Sequence, residues 1–463
     1  MFPAFRIALT LVGEDVMGKS RQRIGRREVL ASAAAAPLLM LPGKAPAQGG
    51  AKPLSGVTLN VSCWSSSYPK YLAHYIPEFE QATGAKVNYE TPSFPIYNQR
   101  MDIELSTRSG AHDVINVTFI YSGRWVGAGW VVPLTDYIND PKKTPSDWDP
   151  SDFLPAAESA FKDPRGRLYA IPWIADVHMA GASRYDLIQQ AGLKMPDTFD
   201  QLGAMPKAVN KKDGIPAFVE ENHYGWTFIP FLQGFGGDVF RHAPTDLMPV
   251  LDSPEAVAAA DFFCGNLRQY GPDGVLSYTY DQVLESMKQG RINYSNSNET
   301  FMVQMAGPDS KVAKTCTLSL TPGGPAGRFP NVAAHGWGIP VGSRNKDAAW
   351  QFIVWSMSKQ MTERMFRDYA YSSVTRRSMI DRPEFRQKMM INGIDVAQLY
   401  LDTLTLGAKG YTVYRTVPSY PPVDHEIDVA MQRIISGEQS AKESMALLQR
   451  NALTQLKRAG VKL

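Results

Sequence analysis

Val57-Thr58-Leu59-Asn60-Val61-Ser62-Cys63, running straight into Trp64-Ser65-Ser66-Ser67, is the stretch from which the fold is read. Val57, Leu59, Val61 and Cys63 alternate with Thr58, Asn60 and Ser62, the period of a strand. The period then changes. Leu72, Tyr75, Ile76 and Phe79 share one helical face, and Gly84 stops the helix. Pro77 should kink or restart it. Ala85 to Glu90 reads as a second strand and Asp113 to Tyr121 as a third. Strand–helix–strand order predicts an α/β fold with a parallel sheet. In such sheets ligands collect at the carboxyl ends of strands. Trp64-Ser65-Ser66 and Phe119-Ile120-Tyr121 fall at those ends.

Further along, Ser253-Pro254-Glu255 opens a helix, with Ser as cap, Pro in the first turn and an acid at the positive end. Val257, Ala260, Cys264 and Leu267 form its stripe, and Gly271 closes it. Asn345 to Ser358 is apolar around most of its circumference, which predicts a buried helix carrying Trp350 and Trp355 in the core. Asp424 to Arg458 reads as two helices broken at Ser436-Gly437-Glu438. The Pro- and Gly-rich stretch Thr321 to Pro330 suits a connection between lobes.

The amino end has a different character. Arg26 and Arg27 precede the uncharged run Val29 to Leu41, which ends at Pro42 and is followed by Ala45-Pro46-Ala47. A basic start, a short apolar middle and small residues at a cleavage site describe a secretory leader, residues 1–47. The paired arginines point to the twin-arginine export machinery. Met17 is an alternative start. The apolar run is too short for the ~20 residues that span a bilayer, and no later run reaches that length. The leader carries seven Lys or Arg and three Asp or Glu, so its removal takes the formal net charge from +3 to −1. That balance offers nothing to nucleic acid or an anionic membrane. The length exceeds what a single core supports, which predicts two lobes.

Cys63, Cys264 and Cys316 show no C-x-x-C spacing and lie in apolar patterns, the mark of buried free thiols. Gly13 to Ser20 matches G-x-x-x-x-G-K-S, but it lies within the leader, without the strand and helix that phosphate binding needs. There is no G-x-S-x-G and no H-E-x-x-H, and the seven histidines are scattered singly, without ligand spacing. A catalytic or metal centre has no support in this pattern, and no cofactor is implied.

A series of segments resembles, in family order, the extracellular solute-binding proteins of carbohydrate-type ABC transporters, the group that includes maltose-binding protein. Phe79-Glu80-Gln81-Ala82-Thr83-Gly84-Ala85-Lys86-Val87 is similar to that family's "FE..TG.KV" segment. Asp113-Val114, then Gly129-Trp130-Val131-Val132-Pro133-Leu134, resemble "DV … G.l.PL". Gly166 to Trp173 resembles the "G..YAVPW" crossover, and Ala191-Gly192-Leu193 with Pro196 to Phe199 resembles "AGL..P.TW". Leu320 to Gly324, then Gly336-Trp337-Gly338-Ile339, and then Ser343 to Phe352, complete the series. Two places depart from the pattern. Ala182-Ser183-Arg184 stands where a Tyr is usual, and Asn296-Ser297-Asn298-Glu299 follows Tyr294 where a Trp is usual. A pocket remodelled away from maltose follows.

The resemblance implies a two-lobed periplasmic-binding-protein fold, type II-like, with a hinge between lobes. It places residues 52–171 and 330–372 in lobe 1, and 172–329 and 373–463 in lobe 2. The crossings would lie near Ala170–Trp173, Gly327–Val332 and Ser372–Arg376. It further implies a monomeric, non-catalytic periplasmic component that closes on a sugar or polyol and delivers it to ABC transporter permease subunits. A sugar-phosphate or polyamine receptor on the same fold is the nearest rival, and a periplasmic enzyme a more distant one. Sugar-phosphate binding needs several Arg or Lys in the cleft, and polyamine binding several carboxylates. Carbohydrate recognition needs aromatic faces and directed polar groups. The candidates are Trp64, Trp173, Trp226 and Trp337 for the faces, with Tyr121. The polar set is Ser65, Ser66, Asp176, His178, Asn296, Asn298, Glu299, His335 beside Gly336, and Arg376.

Overall fold

A computed structural model describes residues 52–463, except Pro164, Asn298 and the side chains of Ser297 and Glu299. The leader, with its phosphate-loop look-alike, lies outside the described residues. The opening strand β1 spans Thr58–Ser62. Pro77 restarts the following helix as expected: Ser67–Ala73 ends, Tyr75 caps, and Ile76–Thr83 begins. Gly84 ends the second helix at φ 82°, a left-handed conformation that favours glycine. Then β2, Lys86–Glu90, and β3, Val114–Thr118, flank β1 in parallel register. Two later strands complete this sheet, β4 (Ile171–Val177) and β10 (Val332–Gly338). Its order is β2-β1-β3-β10-β4, and β10 runs antiparallel to both neighbours.

Strand β5 (Met179–Ala182) lies at the centre of a second sheet, between β8 (Tyr294–Ser297) and β9 (Thr317–Leu320). Between them in the chain, β6 (Phe240–His242) and β7 (Asp246–Pro249) form a separate hairpin. Only His178 separates β4 from β5, so the chain leaves the first sheet at His178 and not at the Ala170–Trp173 crossover. The return runs from β9 to β10 through Thr321–Asn331, the Pro- and Gly-rich stretch.

The helices follow their punctuation. Pro254–Tyr270 is capped by Ser253, whose side chain accepts from the Ala256 amide. Lys346–Ser356 buries Trp350 fully, while Trp355 stays half-buried against Phe79 and Phe352. The tail forms Tyr420–Ser436 and Ala441–Arg458, with Gly437 between them at φ 80°. The first of these begins before the expected Asp424, because Pro421 and Pro422 fit a first turn. All three cysteines are free and buried. Among the described residues no helix is long and apolar enough to cross a membrane.

Candidate binding cleft

The carboxyl ends of β1, β3 and β4 face segments of the second half across a cleft of about 670 Å³. One wall is aromatic. Trp64 follows β1 and meets Phe94 edge-on, with ring centroids 5.2 Å apart, and the His335 ring at 5.1 Å. Phe119, which follows β3, lies 5.3 Å from Trp226 and edge-on to His335 at 5.5 Å. His178 packs on Trp226 at 4.3 Å. Behind this wall sits Arg415, 5.1 Å over Trp226 and 4.9 Å over Phe119. Its nitrogens donate to Tyr414 Oη, to the Val332 carbonyl and to Asn331 Oδ1.

The cleft is also acidic. Asp176, Glu220, Glu221, Asp281, Asp424 and Asp428 all line the cleft, with His223 among them. Asp424 and Asp428 sit one turn apart on the helix Tyr420–Ser436 and so face the same way. Asp424 pairs with His223 Nε2 at 3.2 Å and accepts from Tyr420 Oη at 3.0 Å. Gly225 permits this arrangement, because a Cβ there would stand 2.0 Å from Asp424 Oδ1. Its amide donates to Asp428 at 2.9 Å. Glu220 is almost fully buried and accepts three hydrogen bonds, from Ser295 Oγ (3.3 Å), the Asn296 amide (2.9 Å) and Asn296 Nδ2 (3.0 Å). Tyr294 Oη and Thr321 Oγ1 donate to Asn296 Oδ1, so the amide is fixed in orientation.

Burial and neighbouring charge set the protonation of these groups. Burial pushes Glu220 up to about 8 against the opposing hydrogen bonds, and Glu221 up to about 7. Burial alone would lower His223, but the Asp424 carboxylate outweighs it and raises the imidazole to about 9. Burial and the neighbouring Asp424 raise Asp428. His178 and His335 go the other way, down to about 3, through burial and the positive charge of His223. Arg415 adds to the effect on His178. His223, Asp424 and Asp428 bring potential metal-ligand atoms within 4.8 Å of one another.

A stability consequence follows from Glu220. Its folded pKa lies above the unfolded value, so its stabilising proton is fully present below about pH 4.5 and lost as pH rises through about 8. His223 acts in the same sense between 6.5 and about 9. Glu220→Gln is expected to flatten the fall in melting temperature between pH 5 and 8, and an unchanged slope would contradict this assignment.

The expected residues divide by depth in the first sheet. Trp64, Ser65, Tyr121, Asp176, His178, Trp226, Asn296 and His335 line the cleft. Trp173 and Trp337 do not. β10 enters the sheet from the cleft end, so His335 pairs with Thr118 at the carboxyl end of β3, whereas Trp337 pairs with Asn116, deeper in the sheet. Trp173 lies near the amino end of β4, stacked on Tyr68 and bonded through Nε1 to Asn116 Oδ1. Gly336 faces β4: a Cβ would stand 2.9 Å from Ala170 Cβ. Ser66 is buried at the cap of the helix Ser67–Ala73 and does not line the cleft. Arg376 is fully buried away from it, held by Asp152 at 3.2 Å and by the carbonyls of Met357 and Asp149. Asn298 and the Glu299 side chain lie outside the described residues. Glu220, Glu221, His223, Asp424 and Asp428 escaped the sequence reading. Their one signal was two aspartates four apart beside the apolar positions Val423, Ile427 and Met431.

The family described as "Bacterial extracellular solute-binding protein" matches residues 65–363. A mannitol-binding protein of Pseudomonas aeruginosa is 24% identical over 385 residues, covering 79% of this chain and 85% of that protein. An erythritol/L-threitol-binding protein of Mycolicibacterium smegmatis is 24% identical over 425 residues, covering 86% of each. Among solved structures, an ABC transporter solute-binding protein of Agrobacterium radiobacter K84 in complex with ribitol superposes with a TM-score of 0.78. Its identity is 22%, and the match covers 87% of this chain and 99% of that one. A maltose-bound T. maritima protein gives 0.72 at 19% identity, covering 86% and 100%. These structures share the two-lobed α/β fold of this chain. With the family profile spanning well over half its length, the chain belongs to the bacterial extracellular solute-binding proteins.

Proposed function

We propose that this protein is the periplasmic capture component of an ABC importer for a sugar or polyol. It binds its solute between the lobes, leaves it chemically unchanged and presents it to the permease. The observation that carries this reading is the cleft itself, which combines aromatic rings with hydroxyl-accepting carboxylates and an oriented amide, Asn296. Relatives named for mannitol and erythritol/L-threitol, and a ribitol-bound structural neighbour, support polyols in particular. We assign residues 52–177 and 330–372 to lobe 1 and the remainder to lobe 2, with the first crossing at His178. Export through the twin-arginine leader and action as a monomer belong to the same proposal. Among the described residues lining the cleft there is no Lys or Arg, which weighs against a sugar phosphate.

A calorimetric panel tests this. Mannitol, ribitol, erythritol, glucose, maltose and glycerol 3-phosphate are titrated into the mature protein. Saturable binding of at least one neutral member, with no turnover, is the expected result. Binding of the phosphate alone, or conversion of any member, would contradict the proposal.

A further inference from the structure

We propose that the preferred solute carries a positive charge: it is a polyhydroxylated amine, an amino sugar or amino-substituted polyol, whose ammonium group sits among Glu221, Asp424 and Asp428. This rests on the capture function proposed above and names the chemical class that the same cleft takes.

The charge inventory of the cleft is the starting observation. Five carboxyl groups from the 220–221 segment and two helices converge on one cavity, with Asp176 of β4 also at its lining, and no Lys or Arg is among its described lining residues. Three cations lie near, and each is engaged. His223 is bound to Asp424. Arg415 stands behind the aromatic wall with its nitrogens committed to Tyr414, Asn331 and Val332. Lys70 reaches Asp281 at 3.9 Å at the mouth, where the two side chains are 50% and 69% exposed. His425 also lines the cleft.

The carboxylates differ in what they still lack. Glu220 is saturated by Ser295 and Asn296 and positions the latter. Asp424 holds His223 and Tyr420. Asp428 accepts from the Gly225 amide, and Glu221 lies in the field of His223 and, with the opposite sign, of Asp428 and Asp281. Closing such a cleft over a neutral solute would leave negative charges drawn out of water with one imidazolium among them, an unfavourable arrangement. An ammonium group supplies three donors and the missing charge.

An independent observation supplies the hydroxyl half of the ligand. His178 Nδ1, His335 Nδ1 and Trp64 Nε1 are buried without hydrogen-bond partners, and all three residues line the same cleft. A buried polar atom left without a partner is costly. Hydroxyl groups, which both donate and accept, fit neutral imidazoles and an indole N–H together. A plain diamine could satisfy the acidic wall but not this one.

The test uses matched pairs that differ by one group: D-glucitol with D-glucamine, D-glucose with D-glucosamine, and D-mannose with D-mannosamine. Each is titrated calorimetrically into the mature protein at pH 7.5, with putrescine and spermidine alongside. In at least one pair the amine is expected to bind about tenfold or more tightly than its neutral partner. That ratio should shrink as salt is raised from 20 to 500 mM, and it should fall below about threefold in Glu221→Gln and Asp428→Asn. The salt series on the unaltered protein keeps the test valid if a variant fails to fold. Equal or tighter binding of the neutral partner in every pair overturns the positive charge and leaves sugar or polyol capture standing. Tighter binding of putrescine or spermidine than of every hydroxylated amine overturns the hydroxyl half. Binding of no compound overturns both this inference and the capture function.

Discussion

Arg376→Ala is expected to lower the unfolding free energy by about 3–5 kcal/mol, among the largest single-site losses in this protein. The guanidinium is 0% exposed, pairs with Asp152 at 3.2 Å, and places two nitrogens on the Met357 carbonyl at 2.9 and 2.7 Å. The Phe153 ring lies 4.1 Å beneath it. Removal leaves Asp152 buried with Ser378 as its remaining partner, bonded through both amide and hydroxyl. Arg376→Lys should restore only part of the loss, because an ammonium cannot reproduce the fork on Met357. Urea unfolding checks both variants. The folded fraction of Arg376→Ala should keep its solute affinity, because the residue lies away from the cleft. A loss below about 1 kcal/mol together with weakened binding would return Arg376 to the ligand site.

Trp337→Ala and Trp64→Ala are expected to separate stability from capture. Trp337 is 0% exposed, packed between Trp173 and Phe352. Its truncation should cost about 3–5 kcal/mol through the cavity left behind, with solute affinity changed less than about twofold. Trp64 stands on the cleft wall, and its truncation removes an aromatic contact worth about 0.5–1.5 kcal/mol. A loss of affinity of roughly 2- to 12-fold follows. Parallel unfolding and titration of the two variants checks the pattern. Weakened binding in Trp337→Ala with unaltered binding in Trp64→Ala would contradict it.

These contrasts mark what the sequence could and could not disclose. Period-two alternation at Thr58–Ser62, the Pro77 restart and the Ser253 cap are local signals, and each appears in the structure where the chain announces it. The carboxyl-end rule depends only on strand direction, and of the residues it singles out Trp64 and Tyr121 line the cleft while Ser66 does not. Trp337, a candidate for an aromatic face, lies off the cleft. β10 runs antiparallel to β3, so its earlier residues, up to His335, lie toward the cleft and Trp337 lies deeper, and nothing in the local sequence reveals that reversal. The acidic wall was hidden differently. Asp424 and Asp428 lie on an amphipathic helix, where acids ordinarily face water, and only the close approach allowed by Gly225 turns them inward. Glu220 and Glu221 follow no periodic element, and Glu220 acquires its setting from Asn296, distant in sequence.

The central claim is that one solute touches both halves of the molecule across this cleft. A crystal structure of the mature protein with its tightest-binding sugar, polyol or amino derivative tests it most directly. The account predicts ligand density in contact with Trp64 or Asp176 from the first half and with Glu221, Asp424 or Asp428 from the second. Ligand density outside the cleft, or against one half alone with the lobes apart, would contradict it.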